Sequence, residues 1–117
     1  MYFEGRNLPE YAEPVSATDL REGEIYFAVN YVDADMLVPT METIVFIGRN
    51  LEPGDVGQVY FQDIDSHREG VVYDGNVNDA AAKFQMGSEN EINHIFDYEH
   101  AVEELMRCLT RRRKSTA

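Results

Sequence analysis

An α+β fold is predicted from three features of the sequence. Short β-patterned segments are separated by turn residues, one long amphipathic helix comes last, and 117 residues suffice for one core but not for two. The expected architecture is an antiparallel β-meander of about four to five strands, curled or barrel-like, with a C-terminal helix covering its open face. An irregular N-terminal arm spans 1–18, a single α+β domain spans 19–114, and a short tail follows over 115–117. Hydrophobic residues make up 44% of the chain, which separates it from the apolar-poor composition of disordered proteins.

The arm carries Pro9 and Pro14 and no hydrophobic period, though Tyr2, Phe3, Leu8 and Tyr11 could dock it on the domain. Asp19–Glu22 can form one helical turn before Gly23 redirects the chain. Along Glu24–Asp33, the residues Ile25, Phe27, Val29 and Tyr31 alternate with Glu24, Tyr26, Ala28 and Asn30, the period of a strand half buried in a sheet. Asp33-Ala34-Asp35 supplies turn chemistry, and Met36-Leu37-Val38 continues to Pro39, which lacks an N–H and belongs at an edge or bulge. Thr43–Ile47 is apolar or β-branched on both faces and reads as a central strand.

After the Glu52-Pro53-Gly54-Asp55 turn, Val56–Ile64 forms the next strand. Asp63–Gly70 reads as a polar connection to Val71-Val72-Tyr73, a fourth strand candidate, which Asp74-Gly75-Asn76 closes as a hairpin turn. Asn78–Gly87 admits either a short helix capped by Asn78 or a last strand over Ala82–Met86, and the strand is narrowly preferred. The final helix starts from Asp97 as N-cap, with Tyr98, Ala101, Val102, Leu105 and Leu109 forming a stripe expected to face the sheet. Glu99, Glu103 and Glu104 lie in its first half and Arg107, Arg111, Arg112 and Arg113 in its last, so side-chain charge opposes the helix dipole at both ends.

Charge bounds the partners. Through Met106 the chain holds 22 acidic and five basic side chains, a formal charge of −17, and the last eleven residues add +5 to give −12 overall. Such a body repels phosphate backbones and favours either solubility alone or a basic protein partner. Nucleic-acid contact is left only to the basic run Arg111, Arg112, Arg113 and Lys114. The longest apolar run, Ile25–Val29, is far below the roughly 20 residues of a membrane-spanning helix. With no signal-like start and Cys108 as its one cysteine, the chain is expected in the cytoplasm.

The aromatic residues Tyr26, Tyr31, Tyr60 and Phe61 are the candidates for a partner-binding sheet face, since tyrosine joins large contact area to a polar tip. Asp63, Asp65 and His67 alternate along an extended segment and could offer divalent-metal ligands on one side. The spacing departs from a calcium loop, with Arg68 where glycine is needed; Asp74-x-Asn76-x-Asn78 fails likewise at Asp79. Asp33 and Asp35 are paired carboxylates that acid–base work would require in an apolar pocket, and Glu24, Glu42, Asp63 and Asp65 could gather with them into an acidic groove. His67, His94 and His100 lack zinc spacing, and Cys108 is expected as a half-buried hydrophobe. Phosphate-loop, dinucleotide and nucleophile-elbow motifs are missing from the sequence, and no cofactor is expected.

Two functions stand open on this reading. The first is a non-enzymatic binding or accessory domain working through protein–protein contacts, with self-association as a homodimer included. The second is a small-ligand or divalent-metal protein or enzyme using an acidic cluster on the sheet.

Overall fold

The computed structural model describes residues 12–75 and 82–115. Its elements are β1 (Ile25–Tyr31), β2 (Pro39–Arg49), β3 (Gln58–Asp63), α1 (Ile64–Arg68), β4 (Phe84–Ser88), β5 (Ile95–Phe96) and α2 (Tyr98–Ser115). The five strands form one antiparallel sheet in the order β4-β3-β2-β1-β5. The expected α+β architecture is present, with the long helix over the sheet. The sheet is open, with β4 and β5 at opposite edges, and is not a closed barrel.

β2 is central, as its two-sided apolar pattern implies: Ile44, Val45 and Phe46 are all buried. Pro39 opens the strand opposite Tyr31, while pairing with β3 begins only at Ile44. This stretch of β2 is therefore an edge on its β3 side, where a missing N–H costs nothing. Between Phe46 and Gly48 the register with β3 slips, a bulge that bends the strand. Gly48 has φ of 151° there, and a Cβ would meet Leu51 Cδ2 at 2.8 Å.

Both faces of the sheet are covered. Tyr26, Ala28, Ile44, Phe46, Val59 and Phe61 share one face and pack under Leu20 and Ile92, with Val15 and Ala17 alongside. β1 is thus buried on two sides, beyond the half burial its alternation suggests, because the segment before it folds back across the sheet. That segment is held by Val15 N–H donating to Ile95 C=O at 2.9 Å. Its one helical turn is a 3-10 turn over Ala17–Asp19, earlier than the turn expected at Asp19–Glu22. The part of the N-terminal arm before residue 12 lies outside the described residues.

On the opposite face, Val29 and Phe96 pack against Ala101 of α2, with Phe27, Tyr31 and Leu105 partly buried beside them. Farther along the same face, the Tyr60 and Tyr73 rings meet at a tilt and Tyr73 meets Phe84 edge-on, with ring centroids 5.4 and 5.1 Å apart.

Three local expectations are corrected. Asp63–Arg68 is no polar loop: Asp63 caps α1, its carboxylate accepting from Ser66 N–H at 3.0 Å and Ser66 Oγ at 2.6 Å. Val71–Tyr73 forms no strand. The edge of β3 that it would need is taken by β4, and Val71 C=O accepts instead from the buried Gln62 Nε2 at 2.8 Å. The strand after the turn runs over Phe84–Ser88, as the Ala82–Met86 reading anticipates to within two residues. The cap proposed at Asn78 lies outside the described residues, as do Asn76 and Asp79.

The third correction concerns α2. Asp97 does cap it, its Oδ1 accepting from His100 N–H at 2.9 Å. The buried residues, however, are Ala101, Glu104, Arg107 and Cys108. Of the predicted stripe, Ala101 is buried and Leu105 half-buried against the sheet, whereas the helix is rotated so that Tyr98, Val102 and Leu109 face solvent.

Candidate functional site

The rotation of α2 has a polar cause. Glu104, Arg111 and Tyr31 form a cluster that ties the helix to β1 and to the β1–β2 loop. Glu104 accepts from Tyr31 Oη on one carboxylate oxygen, which also takes Arg111 Nη2 at 3.2 Å, while its other oxygen faces Ala12 N–H at 3.4 Å. Arg111 Nη2 also donates to Tyr31 Oη at 2.7 Å, and Nε donates to Met36 C=O at 2.9 Å. Met36 has φ of 58°, a left-handed conformation uncommon outside glycine and asparagine, and the loop holds it there. Asp33 supplies that hold by accepting from Leu37 N–H at 3.0 Å and Val38 N–H at 2.9 Å. These hydrogen bonds keep the Asp33 carboxyl below its usual range.

A pocket of about 420 Å³ adjoins this cluster, with His94, Asn93, Phe96 and Pro14 in its wall beside Tyr31 and Glu104. Burial lowers the pKa of His94, and burial together with the Glu104 hydrogen bond raises that of Tyr31. The carboxylate, phenol and guanidinium satisfy one another, so the cluster locks α2 in place. One turn earlier on the helix, Arg107 donates to Glu103 through Nη2, whereas its buried Nε and Nη1 have no hydrogen-bond partner.

Because Glu104, Arg107 and Arg111 are turned inward beside Ala101 and Cys108, part of the apolar stripe is left outside. Phe27, Met41, Tyr98, Ala101, Val102 and Leu105 line a shallow groove between α2 and the β1–β2 face. Tyr98 is 73% exposed, Met41 52% and Val102 47%. The Tyr98 ring meets Phe27 edge-on at 5.4 Å, and Ile25 lies on the same face of β1 as Phe27.

The aromatic candidates are mostly interior. Tyr60 is fully buried, and Tyr26 and Phe61 are buried in the core, so these three do not form the outward sheet face expected of them. Tyr60 donates to Asp55 and Tyr26 Oη accepts from Arg21 N–H at 2.9 Å, contacts that let their polar tips enter the core. Tyr31 is half-buried within the polar cluster.

Asp63, Asp65 and His67 do not share a side. The helical turn of α1 replaces the extended chain on which alternate residues would align, and Asp65 and His67 are about 200° apart around it. The Asp63 carboxylate is engaged by Ser66 and by Lys83 N–H at 2.8 Å. Burial opposes its ionisation, but these bonds prevail and lower its pKa. Among the described residues, no group of three or more His, Cys, Asp and Glu side chains could hold a metal ion.

In the acidic groove anticipated on the sheet, Glu42 is paired instead with Lys83 at 3.5 Å and with Gln85 at 3.2 Å. Of the basic run, Arg111 points inward to the cluster, while Arg112, Arg113 and Lys114 are exposed on the last turn of α2. Cys108 is buried, its thiol 3.6 Å from Leu37 C=O, so it is more deeply placed than expected. Among the described residues, no helix is long and apolar enough to cross a membrane.

Sequence reading misses the Tyr31–Glu104–Arg111 cluster because its members are far apart in the chain. The one local signal is Glu104 and Arg111 two helical turns apart on one face. Comparison with protein-family models, with curated proteins and with solved structures finds no match for this chain.

Proposed function

We propose that this chain is a non-enzymatic interaction domain that binds a protein partner through the groove between α2 and the β1–β2 face. The observation that carries this reading is the exposed stripe Tyr98, Val102 and Leu109, apolar residues left outside while Glu104 and Arg111 are held inward. An acidic body around an apolar centre favours a partner with basic flanks, since apolar area supplies affinity and charge guides approach. The polar cluster serves the function indirectly, by fixing the rotation of α2 that keeps this stripe outside.

The test is affinity capture from the lysate of the native host at about 0.15 M salt and at about 0.5 M, where charges are strongly screened. Wild type, Val102→Glu and Val56→Glu are compared, the last being a control at a site distant in the chain that is 86% exposed. Partners held by wild type and Val56→Glu, lost with Val102→Glu at unchanged Tm, and weakened by salt are the expected result. Retention of the same partners by Val102→Glu overturns the assignment of this face.

A further inference from the structure

Resting on that reading of the face, we infer that its partner is a second copy of this chain, bound with the two α2 helices antiparallel. The spacing of the exposed stripe supports a helix–helix seam. Tyr98, Val102, Leu105 and Leu109 follow one another by four, three and four residues, the a/d rhythm of two packed helices. Leu105 is half-buried by its own domain, and the other three are exposed.

Charge then selects the direction. Glu99 is exposed and Glu103 half-exposed near the start of α2, whereas Arg112, Arg113 and Lys114 are exposed at its end. A parallel pair would set acidic start beside acidic start and basic end beside basic end. An antiparallel pair, related by a twofold axis near Val102–Leu105, sets each basic end beside the acidic start of the other helix. The same arrangement serves both copies, as a closed twofold interface requires. It also provides the basic flank that the acidic body favours, from Arg112, Arg113 and Lys114 on the exposed end of α2.

The contact is of modest size. The stripe from Tyr98 to Leu109 is about 17 Å long. With Met41 and Ile25 at its side, it falls at the small end of specific interfaces, below about 1,200 Å² in total, where association is weak and reversible. Each copy also carries −12, so repulsion opposes encounter at low ionic strength. Screening at about 0.15 M, with a Debye length near 8 Å, weakens that repulsion more than it weakens contacts within the seam. The dimer is thus expected to strengthen between about 0.02 and 0.15 M salt.

Sedimentation equilibrium between about 5 and 500 µM, a range that brackets weak association, reads the mass directly. The average mass should rise from 13.4 kDa toward twice that value for wild type and stay at the monomer for Val102→Glu. Orientation is read by oxidative cross-linking in a Cys108→Ala background. A mixture of Tyr98→Cys and Leu109→Cys chains should form a mixed disulfide dimer, and neither alone should cross-link efficiently. A wild type that stays monomeric throughout overturns the dimer. Cross-linking of each variant alone, with no mixed disulfide formed in the mixture, overturns the antiparallel arrangement. If wild type is monomeric while Val102→Glu still loses a captured partner, the second copy is rejected and the binding face stands.

Discussion

Glu104→Ala should be among the most damaging single changes on α2, because one carboxylate serves three donors from three parts of the chain. It takes the Tyr31 hydroxyl, Arg111 Nη2 at 3.2 Å and Ala12 N–H at 3.4 Å. Removing one member of a buried ion pair costs about 3–5 kcal/mol, since the other is left desolvated and unpaired. The lower end applies here, about 3 kcal/mol, because the Arg111 side chain stays 24% exposed and keeps its bond to Met36 C=O. At about 4 °C per kcal/mol for a domain near this size, Tm should fall by about 12 °C.

Glu104→Gln keeps an acceptor for Tyr31 but loses the charge opposite Arg111, and should cost about 1–2 kcal/mol. Tyr31→Phe should cost about 1 kcal/mol, and the Tyr31/Glu104 double-mutant cycle should give a coupling of about 1 kcal/mol or more. Thermal and urea unfolding followed by far-UV circular dichroism measure wild type and the four variants. A loss of under about 3 °C for Glu104→Ala, or additivity within about 0.3 kcal/mol, would refute the claim that this cluster fixes the helix.

Two pH effects follow from groups on other parts of the sheet. Hydrogen bonding to Glu52, followed by burial, pushes the Tyr73 phenol up to about 12, while burial and a bond to Asp55 raise Tyr60. A raised folded pKa means stability present below the ordinary tyrosine value near 10 and lost as pH climbs through the folded value. Absorbance at 295 nm should accordingly show these tyrosines ionising only above about pH 12 or together with unfolding; titration near pH 10 with native circular dichroism would contradict it.

The histidines should separate around the ordinary value near 6.5. The hydrogen bond to Asp97 raises His100 despite burial, and burial lowers His94 despite a backbone bond at Glu91. His100 then adds stability at low pH that fades as pH rises through its folded pKa, and His94 adds stability at high pH that fades as pH falls through its own. An NMR titration should place His100 above His94, and Asp97→Asn should bring His100 down while leaving His94 in place. An unmoved His100 would reject the pairing.

The sequence by itself determined what depends on neighbours a few residues apart. The alternation Ile25–Tyr31 makes a strand, the two-sided apolar run around Ile44–Phe46 makes a central one, and Asp97 followed by helical spacing makes α2. The polarity of charge along the chain is equally a property of the sequence alone. Only tertiary structure decided which groups meet. Val71–Tyr73 has the composition of a strand and forms none because β4 already pairs with the free edge of β3. Tyr60 and Tyr26 look like surface aromatics and are core residues because Asp55 and Arg21 N–H satisfy their hydroxyls.

α2 gives the sharpest contrast. Apolar spacing alone turns Tyr98, Val102 and Leu109 toward the sheet, yet Glu104 and Arg111 are turned inward beside Ala101 and Cys108. A charged side chain can be buried only where partners wait for it. Its partners here, Tyr31 and the Met36 carbonyl, come from a strand and loop more than 70 residues earlier, where no local period reaches.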